Sequence, residues 1–264
     1  MWLKLKTLLL FLSIVSSLLS FSACEDLLGS IGAYTISYIN MDGAKNHSAN
    51  PKTYDETDKA ILLQAPTKAN VYFVCWRKNS LTGAPVSSIP PGSNGDLTFY
   101  AQWTTTDEYN ILAEQNRVRT NPKGYATWLK AQSGDDPCIA VLNSTAPLSP
   151  LVFNRGLYLA ARAHAEDLIK SNTFAHNSSN GETLSVRILR FGSFSGSYSY
   201  GENIAGGYAN YTAAVMGWVK SPGHLNNILN ANYTQTGIAV MTGHPDLKRI
   251  YVTDFARNFV AKPF

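Results

Sequence analysis

The hydrophobic pattern of this 264-residue chain changes at Thr104-Thr105-Thr106, and this change limits the folds that the chain can adopt. Before the threonines, apolar residues alternate with polar ones, as over 34–39 and 97–103, and this period of two is typical of half-buried strands. After them, apolar residues recur at helical spacing, most clearly over 157–169, and alternation returns beyond residue 235. We therefore predict a mainly-β unit followed by an α+β unit of layered helices and strands.

Within the second unit, the first helix is predicted to begin at a cap formed by Thr106 or Asp107 and to end before Asn121. The clearest helix, over 157–169, places small and apolar residues on one face together with His164. We interpret His164 as a hydrogen-bonded histidine of the core. The segments between the later helices are rich in Gly and Ser, and we interpret them as loops.

The first 23 residues have the pattern of an export signal. Lys4 and Lys6 precede an apolar stretch that is too short to span a membrane comfortably. The stretch ends in Phe21-Ser22-Ala23-Cys24, which resembles the lipobox of bacterial lipoproteins, although Phe21 replaces the usual Leu. The sequence predicts a lipid anchor on Cys24 and a cell-envelope location, on the periplasmic face or the cell surface. An ordinary secretory signal, cut near Ala23, is the alternative.

Charge and cysteine content exclude several classes of function. Removal of residues 1–23 leaves 20 basic and 18 acidic residues, a net charge of +2, so there is no electrostatic case for nucleic-acid binding. The remaining two cysteines, Cys75 and Cys138, fall in different predicted units, so no disulfide framework is expected. Cys75 lies in an aromatic strand, where we expect a small buried thiol.

Residues 33–104 resemble the internalin-type repeat of bacterial surface proteins. The resemblance rests on Tyr34-Thr35-Ile36-Ser37-Tyr38, on Phe73-x-x-Trp76, and on Ile89-Pro90 followed by Leu97-Thr98-Phe99-Tyr100-Ala101-Gln102-Trp103. It implies a small β-grasp-like module. Because such modules usually occur in tandem and this chain has one, the resemblance favours a spacer over an adhesive role.

Residues 107–258 resemble the bacterial branch of the superfamily named for cysteine-rich secretory proteins, antigen-five and pathogenesis-related proteins (CAP). The motifs occur in the family's order: Asn116-x-x-Arg119, Ala163-His164-Ala165-Glu166, Phe174-Ala175-His176, Gly201-Glu202-Asn203-Ile204-Ala205, Ser221-Pro222-Gly223-His224 with Asn227-Ile228-Leu229, and Gly237-Ile238-Ala239-Val240. The resemblance implies an α-β-α sandwich. With residues 1–23 as signal and 24–32 as tether, we predict two units, 33–104 and 107–258, that fold independently.

The CAP resemblance also implies a cavity lined by two histidines and two glutamates. His176, His224 and Glu202 match three of these positions, while Ser221 stands where the second glutamate is expected. We include Asn203 and Ser221 among the cavity residues. Two imidazoles and a carboxylate suit a weakly bound divalent metal such as zinc, which we do not expect to be essential. The residues alone do not show that the three side chains converge.

Two classes of function remain open from the sequence. The first, which we favour, is a binding module without catalysis, whose partner is a small apolar ligand, a metal ion or an extracellular protein. The second is a peptidase-like hydrolase, either metal-dependent or based on Glu202 and histidine, with Glu202 as the candidate catalytic residue. A structural envelope protein with neither ligand nor reaction is a third possibility.

Overall fold

The computed structural model describes residues 33–263, and all structural statements concern this part of the chain. The predicted signal and Cys24 lie outside the described residues. Within 33–263, no helix has both the length and the apolar character needed to cross a membrane.

The N-terminal unit consists almost entirely of strands, as predicted. The strands are β1 Tyr34–Ile39, β2 Thr53–Tyr54, β3 Ile61–Leu62, β4 Phe73–Lys78, β5 Pro85–Val86, β6 Ser88–Ile89 and β7 Leu97–Trp103. Five of them form one sheet in the order β2-β1-β7-β4-β5, with β1 and β7 parallel, while β3 pairs with β6. Buried Trp76 and Phe99 lie at the centre of its core, so the aromatic residues of the repeat resemblance hold this unit together.

The C-terminal unit combines seven helices and one four-stranded sheet among the described residues. The helices are α1 Thr106–Thr120, α2 Pro122–Ser133, α3 Pro137–Ser144, α4 Arg155–Ser171, α5 Leu184–Leu189, α6 Tyr211–Lys220 and α7 Pro222–Ile228. The strands are β8 Val152–Phe153, β9 Gly192–Gly206, β10 Gln235–His244 and β11 Lys248–Ala261, in the sheet order β8-β10-β11-β9. Strand β9 is therefore an edge strand.

Helices cover both faces of this sheet, which gives the α-β-α sandwich. Alternate residues of β11 point to opposite faces, so Ile250 and Val252 pack under α4, while Tyr251 and Phe255 pack toward α1 and α6. Helix α4 lies very close to β10, since a Cβ added at Gly237 would stand 1.9 Å from the Tyr158 amide nitrogen. Glycine at this position lets the helix contact the sheet backbone directly.

Two local predictions from the sequence are wrong. Residues 192–206, which composition predicts to be a loop, form the 15-residue strand β9, because the backbone pairs along β11 with little need for apolar side chains. The first helix is capped by Thr105 rather than by Thr106 or Asp107. Thr105 and Glu108 form a capping box, in which each side chain accepts a hydrogen bond from the other residue's backbone N–H.

The two units share a buried apolar contact. Val74 and Cys75 of β4 pack against Tyr158 of α4, and all three are at most 1% exposed. Beside them, the ring of Tyr72 stacks on that of Phe153, with centroids 4.6 Å apart. Cys75 is thus a small buried thiol of a strand, as predicted. Independent folding of the two units stays a prediction. In the intact chain, this contact contributes to the free energy of unfolding of both units.

Tyr158→Ala is expected to lower the free energy of unfolding by about 3–5 kcal/mol, because it opens a cavity between the units. It should also make the chain sensitive to limited proteolysis at 104–106. Tyr251→Ala is the matched control, since Tyr251 is equally buried but packs inside the sandwich alone. Equal cleavage of both variants at 104–106 would contradict a stabilising contact between the units.

Candidate functional site

The candidate site lies on the edge strand β9, and its centre is Glu202. The Glu202 side chain is 1% exposed and points to the face of the sheet that α4 covers, opposite Asp254 of β11. His176 Nδ1 donates to Glu202 Oε1 at 2.8 Å, and Arg187 Nη2 donates to Glu202 Oε2 at 2.5 Å. Each carboxylate oxygen of Glu202 therefore accepts a hydrogen bond from a side chain.

Arg187 holds the loop and the strand together around this carboxylate. Its side chain is fully buried on α5, and Nη1 donates to the backbone oxygen of His176 and to Ser178 Oγ at 3.3 and 3.1 Å. A buried guanidinium opposite a buried carboxylate satisfies the charge of each group. Arg187 thus positions the loop that carries His176, although nothing in the sequence analysis singled it out.

Helices α6 and α7 are attached to the outer edge of β9 by side chains that donate to its carbonyl oxygens. Trp218 Nε1 donates to the oxygen of Ile204 at 3.1 Å, and Asn227 Nδ2 donates to that of Glu202 at 3.1 Å. Asn203 Nδ2 in turn donates to the backbone oxygen of His224 at 3.1 Å. These bonds place His224, on α7, beside the same strand as Glu202.

The two histidines differ in environment. The His176 side chain is 57% exposed, and its hydrogen bond to Glu202 raises its pKa above the ordinary value. His224 is half-buried; desolvation, followed by the nearby charge of His176, lowers its pKa. The Nδ1 of His224 is buried and has no hydrogen-bond partner in residues 33–263. Of the two, His176 is therefore the one that carries a proton more readily at neutral pH.

Two further titratable side chains, His164 of α4 and Asp254 of β11, lie near Glu202 on the face of the sheet that α4 covers. His164 is fully buried, contacts the backbone oxygen of Ala175 through Nε2 at 2.9 Å, and lies 3.8 Å from Glu202 Oε2. It is the hydrogen-bonded core histidine that the sequence predicts. Asp254 is completely buried, and desolvation, with the charge of Glu202, raises its pKa well above the usual range. The sequence carries one signal of this buried acid, because Asp254 lies in a predicted strand whose other residues nearby are mostly apolar.

The described arrangement does not fit a metal centre. Across residues 33–263, no group of three or more His, Cys, Asp or Glu side chains is placed so that it could hold a metal ion. The charge of Arg187 already balances Glu202, and a cation added there would be repelled by it. Weak zinc binding at His176, Glu202 and His224 stays a prediction of the sequence.

Ser221 lies at the junction between α6 and α7, where its backbone joins the two helices, and its place among the cavity residues stays a prediction. Its backbone oxygen accepts the N–H of Leu225 at 2.8 Å, which starts α7, and its backbone N–H donates to Trp218. The described structure gives its hydroxyl no contact with Glu202, so Ser221 does not replace the missing second glutamate as an acid.

Arg187→Met is expected to lower the free energy of unfolding at pH 7 by about 3–5 kcal/mol, because it leaves the Glu202 charge buried without its partner. Adding Glu202→Gln should recover part of this loss, which a double-mutant cycle in urea measures. Arg190→Met is the control, since Arg190 is 48% exposed and should cost less than about 0.5 kcal/mol. Equal losses from Arg187→Met and Arg190→Met would rule out the buried pair.

Imidazole titration by NMR is expected to give His176 a pKa above about 6.5 and His224 a pKa below it. Because the pKa of His176 is raised in the folded state, its contact with Glu202 stabilises the fold fully below about 6.5 and is lost as the pH rises through the raised value. Glu202→Gln should lower the pKa of His176, while Glu166→Gln, on the exposed side of α4, should not. An unchanged His176 titration in Glu202→Gln would contradict this assignment.

Comparison with known proteins agrees with this architecture. The model of the cysteine-rich secretory protein family (CAP) matches residues 112–255, and that of the Listeria-Bacteroides repeat domain matches residues 34–102. In Bacillus subtilis (strain 168), the uncharacterized membrane protein YlbC is 29% identical over 139 residues, which is 50% of this chain and 39% of that protein. The uncharacterized protein YkwD is 38% identical over 92 residues, which is 34% of this chain and 35% of that protein.

Solved structures to which this chain is similar include those of two bacterial proteins. An outer surface protein of Borrelia burgdorferi has a TM-score of 0.37 and 21% identity, and the match covers 53% of this chain and 95% of that one. An extracellular SCP-domain protein of Bacillus anthracis has a TM-score of 0.35 and 23% identity, over 62% and 47% of the two chains. From the family match across the sandwich, this chain belongs to the cysteine-rich secretory protein (CAP) family, as a bacterial-type member preceded by one Listeria-Bacteroides repeat.

Proposed function

We propose that this protein is an exported, lipid-anchored protein of the cell envelope whose CAP domain binds a ligand beside His176, Glu202 and His224 without catalysis. The anchor is assigned to Cys24 on the signal and lipobox pattern alone. The relative YlbC is described as a membrane protein, although this chain covers only 39% of its length. The repeat then acts as a spacer between anchor and binding site.

One observation favours binding over catalysis: both oxygens of Glu202 are engaged. A general base must be able to reach the proton that it removes, and it works best when its pKa lies near the working pH. The Glu202 side chain is only 1% exposed, and although desolvation raises its pKa, the bond from His176 and the charge of Arg187 lower it below the ordinary value, so Glu202 is a weak and inaccessible base. In this role, the buried acid orients His176 and does not react.

The exposed side of the site supports a ligand with an acidic or hydrogen-bond-accepting group and an apolar part. The bond to Glu202 fixes His176 through Nδ1, so Nε2 of the same ring accepts a hydrogen bond when the ring is neutral and donates one when the ring is protonated. Phe174, two residues earlier in the same loop, is 46% exposed and offers apolar contact area. A protonated His176 favours a negatively charged group, because its pKa is raised by Glu202.

A hydrolase is the second candidate, and the contact between Glu202 and His176 is what favours it. A carboxylate that holds one imidazole nitrogen leaves the other as a base, as in Ser-His-Asp sites. Such a site also needs a nucleophile within reach. Ser178 Oγ is buried and bonded to Arg187, and Ser221 stands at a helix junction, so water would have to supply the oxygen.

The two candidates can be separated with three preparations: the wild type, His176→Ala and Glu166→Gln. Native mass spectrometry of the freshly purified proteins is expected to find a small copurified molecule on the wild type and on Glu166→Gln, and to find at least about tenfold less on His176→Ala, which lacks the donor. The same proteins are then incubated with a peptide library and, separately, titrated with zinc chloride.

A peptidase activity that is present in the wild type and absent in His176→Ala would overturn the binding proposal in favour of the hydrolase. A ligand retained equally by all three proteins would place the binding site elsewhere. Zinc binding that weakens below about pH 6.5 and disappears in His176→Ala would instead make the metal the ligand of this site.

A further inference from the structure

The turn between β10 and β11 contains a buried histidine, His244. This residue is 3% exposed, although the residues on both sides of it are exposed. Its Nδ1 accepts hydrogen bonds from the backbone N–H groups of Asp246 and Leu247, both at 3.2 Å. The turn is bounded by two residues with positive φ, Gly243 at 110° and Lys248 at 64°. Because a lysine rarely adopts this region, the two bonds to the ring stabilise a turn that the backbone alone disfavours.

The other nitrogen of the His244 ring contacts the loop that carries His176. Nε2 lies 3.3 Å from the backbone oxygen of Thr173, three residues before His176. A carbonyl oxygen only accepts, so Nε2 must carry a proton, while Nδ1 faces two N–H donors and must offer a lone pair. Both contacts therefore require one neutral form of the ring, with its proton on Nε2. In this form, the ring ties the turn to a residue that lies 71 positions earlier in the chain.

Two more buried side chains bond to the same loop. His164 Nε2 contacts the backbone oxygen of Ala175 at 2.9 Å, and Arg187 Nη1 donates to that of His176 at 3.3 Å. The backbone oxygens of Thr173, Ala175 and His176 thus contact side chains from the turn, from α4 and from α5. A segment that is held at three oxygens has little freedom to rotate, so the direction of the His176 ring depends on each of these bonds.

The bond from His244 differs from the other two, whose side chains also contact Glu202. His164 lies 3.8 Å from Glu202 Oε2, and Arg187 donates to the same oxygen. Replacing either residue changes the charge beside Glu202 as well as the loop. His244 forms no hydrogen bond or ion pair with Glu202 within residues 33–263, so its influence on the partner of Glu202 passes through the loop.

We propose that His244 is a positioning residue of the candidate site, which holds the loop so that His176 Nδ1 stays against Glu202. The bond to Thr173 fixes the start of the segment 173–176, and the His176 ring stands at its end. Without this bond, the segment can rotate at Thr173, and the imidazole spends less time in contact with the carboxylate. The proposal concerns the geometry of the site and does not rest on ligand binding there.

The test measures which nitrogen of the His176 ring carries the proton, from the 15N chemical shifts of the purified chain. It is made at about pH 9, well above the ordinary pKa of histidine, where the bond to Glu202 keeps the proton of the neutral ring on Nδ1. His244→Asn retains an acceptor for the turn but lacks the donor to Thr173. We expect it to lower the ratio of the Nδ1–H form to the Nε2–H form of His176 at least about threefold.

His244→Gln is the matched variant, because its amide nitrogen stands near the position of Nε2 and can still donate to Thr173. It should keep the ratio within about 1.5-fold of the wild-type value. His47→Ala replaces an exposed histidine of the repeat and should leave the ratio unchanged.

An unchanged ratio in His244→Asn would overturn the proposal. So would an equal fall in His244→Asn and His244→Gln, because the packing of the ring, and not the bond to Thr173, would then hold the loop. The wild type supplies a check that needs no variant. At the same pH its His244 ring must carry the proton on Nε2, and a proton on Nδ1 would rule out the bond to Thr173.

Discussion

Carbonyl oxygens on the outer edge of β9 accept hydrogen bonds from side chains of α6, α7 and the loop that follows, and the arrangement of the site depends on these bonds. Trp218, Asn227 and Tyr233 donate to the oxygens of Ile204, Glu202 and Tyr200 at 3.1, 3.1 and 2.9 Å. An edge strand presents unpaired backbone groups, and here side chains pair with them in place of another strand. The helices that carry His224 are thereby fixed beside Glu202.

Glu202, the buried carboxylate at the centre of this edge, has several polar neighbours among the described residues. Arg187 is the neighbour that carries a permanent positive charge. Desolvation raises the pKa of Glu202, but the bond from His176 and the charges of Arg187 and His164 outweigh it and keep the group ionised. Desolvation, followed by the charge of Glu202, raises the pKa of Asp254, opposite it in the sheet, well above the ordinary value. The two carboxyl groups on this face of the sheet thus have pKa values that are shifted in opposite directions, which favours a single negative charge between them.

The repeat and the sandwich are joined more tightly than their separate motifs imply. The backbone of Tyr72 makes two hydrogen bonds with Thr104: its oxygen accepts from the Thr104 N–H, and its N–H donates to the Thr104 hydroxyl. The next residue, Thr105, caps α1. Glu108 completes that cap and also accepts from the N–H of Val240 on β10 at 3.0 Å. The threonine segment thus belongs to the folded structure of both units, which fixes the position of the repeat relative to the sandwich.

The sequence by itself determined the elements whose hydrophobic period is strong, such as β7 and α4, because burial of one face requires that period. It also singled out Glu202 and His176 as candidate site residues, through motifs that resemble those of the CAP family. Only the tertiary structure decided that residues 192–206 are a strand, since their serines and glycines carry no such period and the pairing partner, β11, lies far along the chain. It also decided that Arg187 neutralises Glu202, because a charge pair between a short helix and a strand leaves no pattern in the sequence.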